Sequence, residues 1–232
     1  MTDPTPKRYT IAILGGTGNE GPGLARRWAL AGHTIIIGSR SAEKAERVAS
    51  EINQRLGAPV SDHSAVQGMA NADAATAGDL TVLTVPYEAQ NALLESLADV
   101  LQGKILIDVT VALKPPKVAR VFIPPEGSAS EQAQALLGDG VTVVAGFQNV
   151  SADLLEGDGP VACDVLVCGD NREAKRIAIG LAEDLGTRGI DAGPLENAKA
   201  VEAFTSVLIG INIRYKVHGS GLRITGLPTL ER

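Results

Sequence analysis

"ILGGTGNEGPG", residues 13–23, places five glycines in eleven residues directly after an apolar run. Each glycine inside a helix or strand costs roughly 0.5–1 kcal/mol relative to alanine. Such a stretch therefore marks a turn that something approaches closely. Gly16, Gly18 and Gly21 have the spacing GxGxxG. "YTIAILG" (9–15) reads as a buried strand before them, and residues 19–31 read as a helix after them. Strand, glycine turn and helix together form the context in which this spacing cradles a dinucleotide pyrophosphate. A plain connecting loop would also carry glycines, so the flanking elements decide. The first glycine makes the turn, the second admits the pyrophosphate, and the third lets helix pack on strand. The helix start adds free amides and the positive end of its dipole. Glu20 is the awkward residue beside a pyrophosphate. Its amide is expected to face the ligand while its side chain points to solvent.

Working outward, "HTIIIGS" (33–39) reads as a second strand and 41–57 as an amphipathic helix, with Ser41 as N-cap, Glu43 in the first turn and Gly57 closing it. Further apolar strands follow at 79–86, 104–110, 141–147 and 164–169, with a helix at 88–101. Continuously apolar strands alternating with helices predict a parallel sheet covered on both faces. The expected fold is α/β: a Rossmann-type, doubly wound, mostly parallel sheet with a small α-rich C-terminal domain. Residues 1–150 are expected to form the nucleotide-binding domain. Residues 151–232 are expected to form a smaller one, with one strand and then helices. Residues 115–130, with four prolines, read as a loop, and 194–215 as wholly helical.

The end of the second strand bears on which dinucleotide is bound. An NAD site usually places Asp or Glu there for the ribose hydroxyls, but Ile37 is followed by Gly38, Ser39 and Arg40. Ser39 can donate to a phosphate, and Arg40 can grip one in a charge-assisted fork. Lys44 lies one helical turn on. Cations in a helix's first turn oppose its dipole, a tension that the 2′-phosphate of NADP resolves. The expected cofactor is NADP.

Other classes fit poorly. The formal net charge of −6 gives no support to nucleic-acid or membrane binding. No apolar run is long enough to span a bilayer, and Met1–Lys7 does not look like a signal peptide. His33, His63 and His218 are scattered singly, so no metal site is expected. Cys163 and Cys168, five apart in a strand, should face opposite sides of the sheet rather than bond to each other. A cytoplasmic protein is expected.

"GGTGNEGPGLARRWALAGHTIIIGSR" (15–40), "GMANADAATAGDLTVLTVPYEA" (68–89), "VLVCGDN" (165–171) and "DAGPLENAKAVEAFTSVLIGINIRY" (191–215) resemble corresponding stretches of the NADPH-dependent reductases of the 5-deazaflavin coenzyme F₄₂₀. The resemblance covers most of the chain. It implies hydride transfer between NADP(H) and F₄₂₀, with Thr17, Gly18, Asn19 and Glu20 along the phosphates and Ser39, Arg40 and Lys44 at the 2′-phosphate. It also implies Thr84, Pro86 and Tyr87 bordering the cofactor, and Val150 and Ala152 under the nicotinamide. Gln148 stands where members can carry histidine. Hydride transfer between two rings needs no protein nucleophile or metal, so no residue, Asp108, Asp153 and Asp164 included, is named as catalytic. A soluble flavin or ferric reductase and a non-catalytic NADP-binding regulator remain as alternatives. The apolar Phe204–Ile213 helix predicts a homodimer. The acid-free stretch Phe204–Leu230, with Arg214, Lys216 and Arg223, suggests an anionic ligand.

Overall fold

The computed structural model describes residues 7–57 and 65–227, so His63 and most of the N-terminal segment lie outside the described residues. Eight strands form a single sheet in the order β3-β2-β1-β4-β5-β6-β7-β8. They are β1 (Thr10–Leu14), β2 (Thr34–Ser39), β3 (Gln67–Ala70), β4 (Leu80–Leu83), β5 (Ile105–Asp108), β6 (Thr142–Ala145), β7 (Asp164–Gly169) and β8 (Arg188–Asp191). The pairing is parallel except between β6 and β7. The Rossmann-type, mostly parallel architecture expected from the sequence is the one observed.

Period-two alternation assigns each strand residue to one of two cores. Ile11 and Ile13 belong to one, with Leu24 and Trp28 of α1 (Glu20–Leu30), Ala45 and Val48 of α2 (Ala42–Leu56) and Leu181 of α7 (Arg172–Asp184). Ala12 and Leu14 belong to the other, with Ala74 of α3 (Asn71–Ala77), Leu94 of α4 (Tyr87–Leu101), Ala133 of α5 (Ala129–Leu137) and Val201 of α8 (Ala198–Tyr215). Both faces are covered, which is why the strands are apolar throughout rather than at alternate positions. The two cysteines obey the same rule. Both are free and buried, with Cys163 in the first core and Cys168 in the second.

Ser41 caps α2 by accepting from the Lys44 amide at 3.2 Å, and Gly57 follows its last turn. Several elements go beyond the sequence reading: β3, α3, α5, the short α6 (Ala152–Glu156), α7 and β8. The part after residue 150 holds two strands rather than one, and both continue the sheet through β6. β8 (Arg-Gly-Ile-Asp) lacks an apolar run, and its Gly189 is required because a Cβ there would sit 2.8 Å from Cα of Ile179 in α7.

Two polar side chains fasten α1 to the later part of the chain. Trp28 donates from Nε1 to the Leu181 carbonyl at 2.9 Å. The buried Arg27 guanidinium donates to the carbonyls of Leu154, Leu155, Gly157, Gly159 and Leu185, fixing the end of α6 and the turn that follows it. His33 is structural: it accepts from the Tyr9 amide and pairs through Nε2 with Asp184 at 2.8 Å.

Candidate active site

The strand order reverses between β1 and β4, and in an open α/β sheet ligands bind at the carboxyl ends beside such a switch. Residues 15–19 follow β1 at that point. The Gly16 amide donates to the carbonyls of Ile13 (3.2 Å) and Gly38 (3.0 Å), which ties the turn to the end of β2. Across the switch, Thr84 donates its amide (3.0 Å) and its hydroxyl (3.2 Å) to the Leu14 carbonyl. Asn71 Oδ1 accepts from the Gly15 amide at 3.1 Å and closes the other side.

The three motif glycines meet different constraints. A Cβ on Gly16 would lie 2.7 Å from the Ile13 carbonyl oxygen, and one on Gly21 would overlap the backbone of Gly16. Those two are glycine because the chain packs on itself. At Gly18 a Cβ would find only carbonyl oxygens at 3.7 Å, an ordinary contact. The protein leaves space there, as a cradle for phosphate requires.

Beside this turn opens a cleft of about 580 Å³. Its walls are Gly18–Glu20, Thr84–Glu88, Val109–Val111, Phe147–Ala152, one side of α8 (Thr205, Leu208, Ile209, Asn212) and Ser220, with Leu113, Pro115 and Val118 closing over it. Of the residues named from sequence, Gly18, Asn19, Glu20, Thr84, Pro86, Tyr87, Val150 and Ala152 line it together. Gly16 and Gly21 sit behind the turn, and Thr17 is not in the wall. Ser39 is buried at the end of β2, while Arg40 and Lys44 are exposed just beyond it, outside the cleft. Among the described residues neither cation is held in an ion pair.

Glu20 departs from expectation. Its side chain turns inward and lines the cleft, with Oε2 buried and without a partner. Burial, and secondarily the nearby Asp153, pushes its carboxyl up to about 7. α6 packs against α1 here, Leu155 lying against Gly23, so solvent is not the open side of that first turn. Of the basic C-terminal residues, Arg223 acts on Asp164. That carboxylate pairs with Arg188 at 2.7 Å and accepts from the Ile224 amide, away from the cleft.

At the floor, Val150 and Ala152 stand where the resemblance put them, while the buried polar groups beneath were not read from sequence. Phe147 has φ 73°, a conformation uncommon for a bulky residue. It is held by an edge contact with Trp28, ring centroids 5.6 Å apart. Gln148 and Asn149 follow and are buried. Behind them lies a carboxyl pair. Asp108 accepts from the Thr110 amide (2.9 Å) and from Gln90, and burial raises it to about 6. Glu202 accepts from the Ala129 and Ser130 amides at the start of α5 and from the Ser130 hydroxyl. Burial, then Asp108, raises it to about 7. Asp108 does not line the cleft; it shapes the turn that does. The signal available in sequence was polar residues directly after an apolar strand, where a parallel sheet puts its ligands.

Residues 10–112 match the family model described as NADP oxidoreductase, coenzyme F₄₂₀-dependent. Over 227 residues the chain is 46% identical to the F420-dependent NADP reductase of Methanothermobacter thermautotrophicus, covering 95% of this chain and 97% of that one. The chain belongs to the F₄₂₀-dependent NADP reductase family. A candidate F₄₂₀-dependent NADP reductase of Arthrobacter sp. FB24 has the same fold, with a TM-score of 0.77 at 28% identity over 94% of this chain and 99% of that one. The family pattern also extends to a rat metalloreductase, 28% identical over 85% of this chain but only 37% of that protein. Among the described residues no helix is long and apolar enough to cross a membrane.

Proposed function

We infer that this chain is an oxidoreductase carrying hydride between NADP(H) and the 5-deazaflavin coenzyme F₄₂₀. The observation that carries this is a cleft joining the glycine turn to the Phe147–Ala152 floor, in a chain that F₄₂₀-dependent NADP reductases match over about 95% of its length. The residues fit the coenzymes: Gly18 leaves the turn uncrowded at the start of α1, and the floor carries buried polar atoms that lack protein partners. When bound, NADP(H) and the deazaflavin coenzyme would exchange the hydride between their rings. The chain's own work is binding and orientation, and well-oriented approach is worth roughly 7–11 kcal/mol of barrier. In this reading the first-turn amides of α1 hold the pyrophosphate, Ser39, Arg40 and Lys44 take the 2′-phosphate, and Thr84, Pro86, Tyr87, Val150 and Ala152 bracket the ring.

The test is anaerobic mixing of purified protein with NADPH and F₄₂₀. Bleaching of the deazaflavin absorbance is expected. Absence of bleaching, with reduction of free flavin or ferric iron instead, would favour the alternative suggested by the metalloreductase match. Nucleotide binding with no turnover of any acceptor would make it a regulator.

Homodimerisation is supported by the exposed Phe204 and Val207 of α8, and by Ile213 and Tyr215 further along it. Light scattering that gives a monomer at micromolar concentration would count against it. A cytoplasmic setting is supported by two buried, unbonded thiols, as reducing compartments maintain.

A further inference from the structure

We propose that Gln148 and Asn149 form an acceptor pair that reads an amide- or lactam-type N–H on the edge of the bound ring, and so sets the ring's register in the cleft. The inference rests on the coenzyme reading above and deepens it.

Hydrogen-bond partners fix which way both amides point. Gln148 Nε2 donates to the Asp108 carbonyl at 2.8 Å. Asn149 Nδ2 donates to the Val201 carbonyl at 2.9 Å and to Thr205 Oγ1 at 3.0 Å. The Thr205 hydroxyl spends its own hydrogen on the Gln148 carbonyl, at 2.8 Å, so toward Asn149 it can only accept. Flipping Asn149 would set its oxygen against a carbonyl; flipping Gln148 would do the same at Asp108. Oε1 and Oδ1 are therefore the atoms left over, and both are buried with no partner in the protein. The residues are 4% and 6% exposed, and both line the cleft.

Buried polar atoms in folded proteins are almost always paired. Both orphans belong to residues of the cleft wall, and because each is an acceptor, a ligand that satisfies it must bring a donor. Phosphate and carboxylate groups are repelled here. The strained backbone at Phe147, locked by Trp28, aims the pair; strain of this kind persists where the surroundings over-determine it and clusters at functional sites. The N–H can come from two sources: the carboxamide of the nicotinamide or the lactam of the deazaflavin's pyrimidine ring.

Equilibrium titration with two ligand pairs separates them. One pair is NADPH and its 3-acetylpyridine analogue, in which methyl replaces the amide nitrogen. The other is F₄₂₀ and F₄₂₀ methylated at the pyrimidine nitrogen. The native protein should bind the N–H ligand of one pair about 10- to 100-fold more tightly, because the analogue leaves buried acceptors unpaired. In Gln148→Met and Asn149→Leu that preference should shrink to about threefold or less, a loss of most of one hydrogen bond. The other pair should be unaffected. Asn149→Leu also removes bonds to α8, so if it fails to fold, Gln148→Met decides. Native protein that binds all four ligands without preference within either pair, or variants that keep the full preference, would overturn the proposal. Native protein that binds neither parent coenzyme would overturn the functional reading and this inference with it.

Discussion

At the glycine-turn end, the first-turn amides of α1 and, just outside the cleft, the exposed Arg40 and Lys44 are placed by neighbours in sequence. At the floor the polar groups are buried side chains, held by partners 40 to 57 residues away. The first arrangement suits charge: amides at a helix start and mobile Arg and Lys side chains adapt to phosphate and respond to salt. The second suits register, since amides held by fixed carbonyl and hydroxyl partners offer their oxygen in one direction. In the proposed reading, one cleft holds a coenzyme at one end and aligns it at the other.

The sharpest way to break this contrast is to remove Glu202, the anchor behind the floor. Glu202→Ala strands two amides at the start of α5, and with roughly 1–3 kcal/mol for each unsatisfied buried group the loss of stability should be about 3 kcal/mol. Urea denaturation measures it, and a loss under about 0.5 kcal/mol, the range of ordinary surface changes, would show that the floor is not over-determined.

At the other end, Arg40→Ala should weaken NADPH roughly 10- to 150-fold, as expected for one charge-assisted contact of about 1.5–3 kcal/mol, and leave NADH little changed. Rising salt should narrow the difference. Equal losses for both nucleotides would remove the 2′-phosphate from Arg40.

Glu20 sits where the two ends meet. Its carboxyl titrates near 4.5 in the unfolded chain and at about 7 in the folded one. Between those values the folded state binds more protons, so stability falls as pH rises from about 4.5 to 7 and stays lowered above that. Glu20→Gln should therefore gain up to about 3 kcal/mol at pH 8 and almost nothing at pH 4. NADPH should also bind the variant more tightly at pH 8, where the native side chain is negative. A gain independent of pH would disprove the buried-acid account.

The smallest effect is expected at His218. Its side chain is 88% exposed and lies 3.8 Å from Asp153, and such surface pairs are worth about 0–1 kcal/mol. His218→Ala should change turnover by less than about threefold; a loss of 10²–10⁴, typical of a missing general acid or base, would reveal a proton relay.

The same contrast governs what could be read from sequence. The roles of Gly16 and Gly21 are local, as are the Ser41 cap and the apolar β1, β2 and β4, and all of these were legible. Gln148 was visible only as a departure from a family pattern, because its meaning depends on the Asp108 carbonyl and on Thr205. β3 was missed since Gln67-Gly68-Met69-Ala70 has no apolar run. Its glycine is there because the backbone of Ala45 and Glu46 in α2 would overlap any Cβ. Glu20 was misread because the expectation of solvent ignored α6, which approaches α1 from more than a hundred residues away.

Arg27 carries a consequence for how the family can vary. Its five partners are main-chain oxygens, and every amino acid supplies one of those. Residues 154–159 can therefore drift in evolution while the arginine stays, provided the path of the backbone is kept. An arginine held this way would be invariant with no covarying partner, and a comparison of homologues would show its constancy while hiding what it binds.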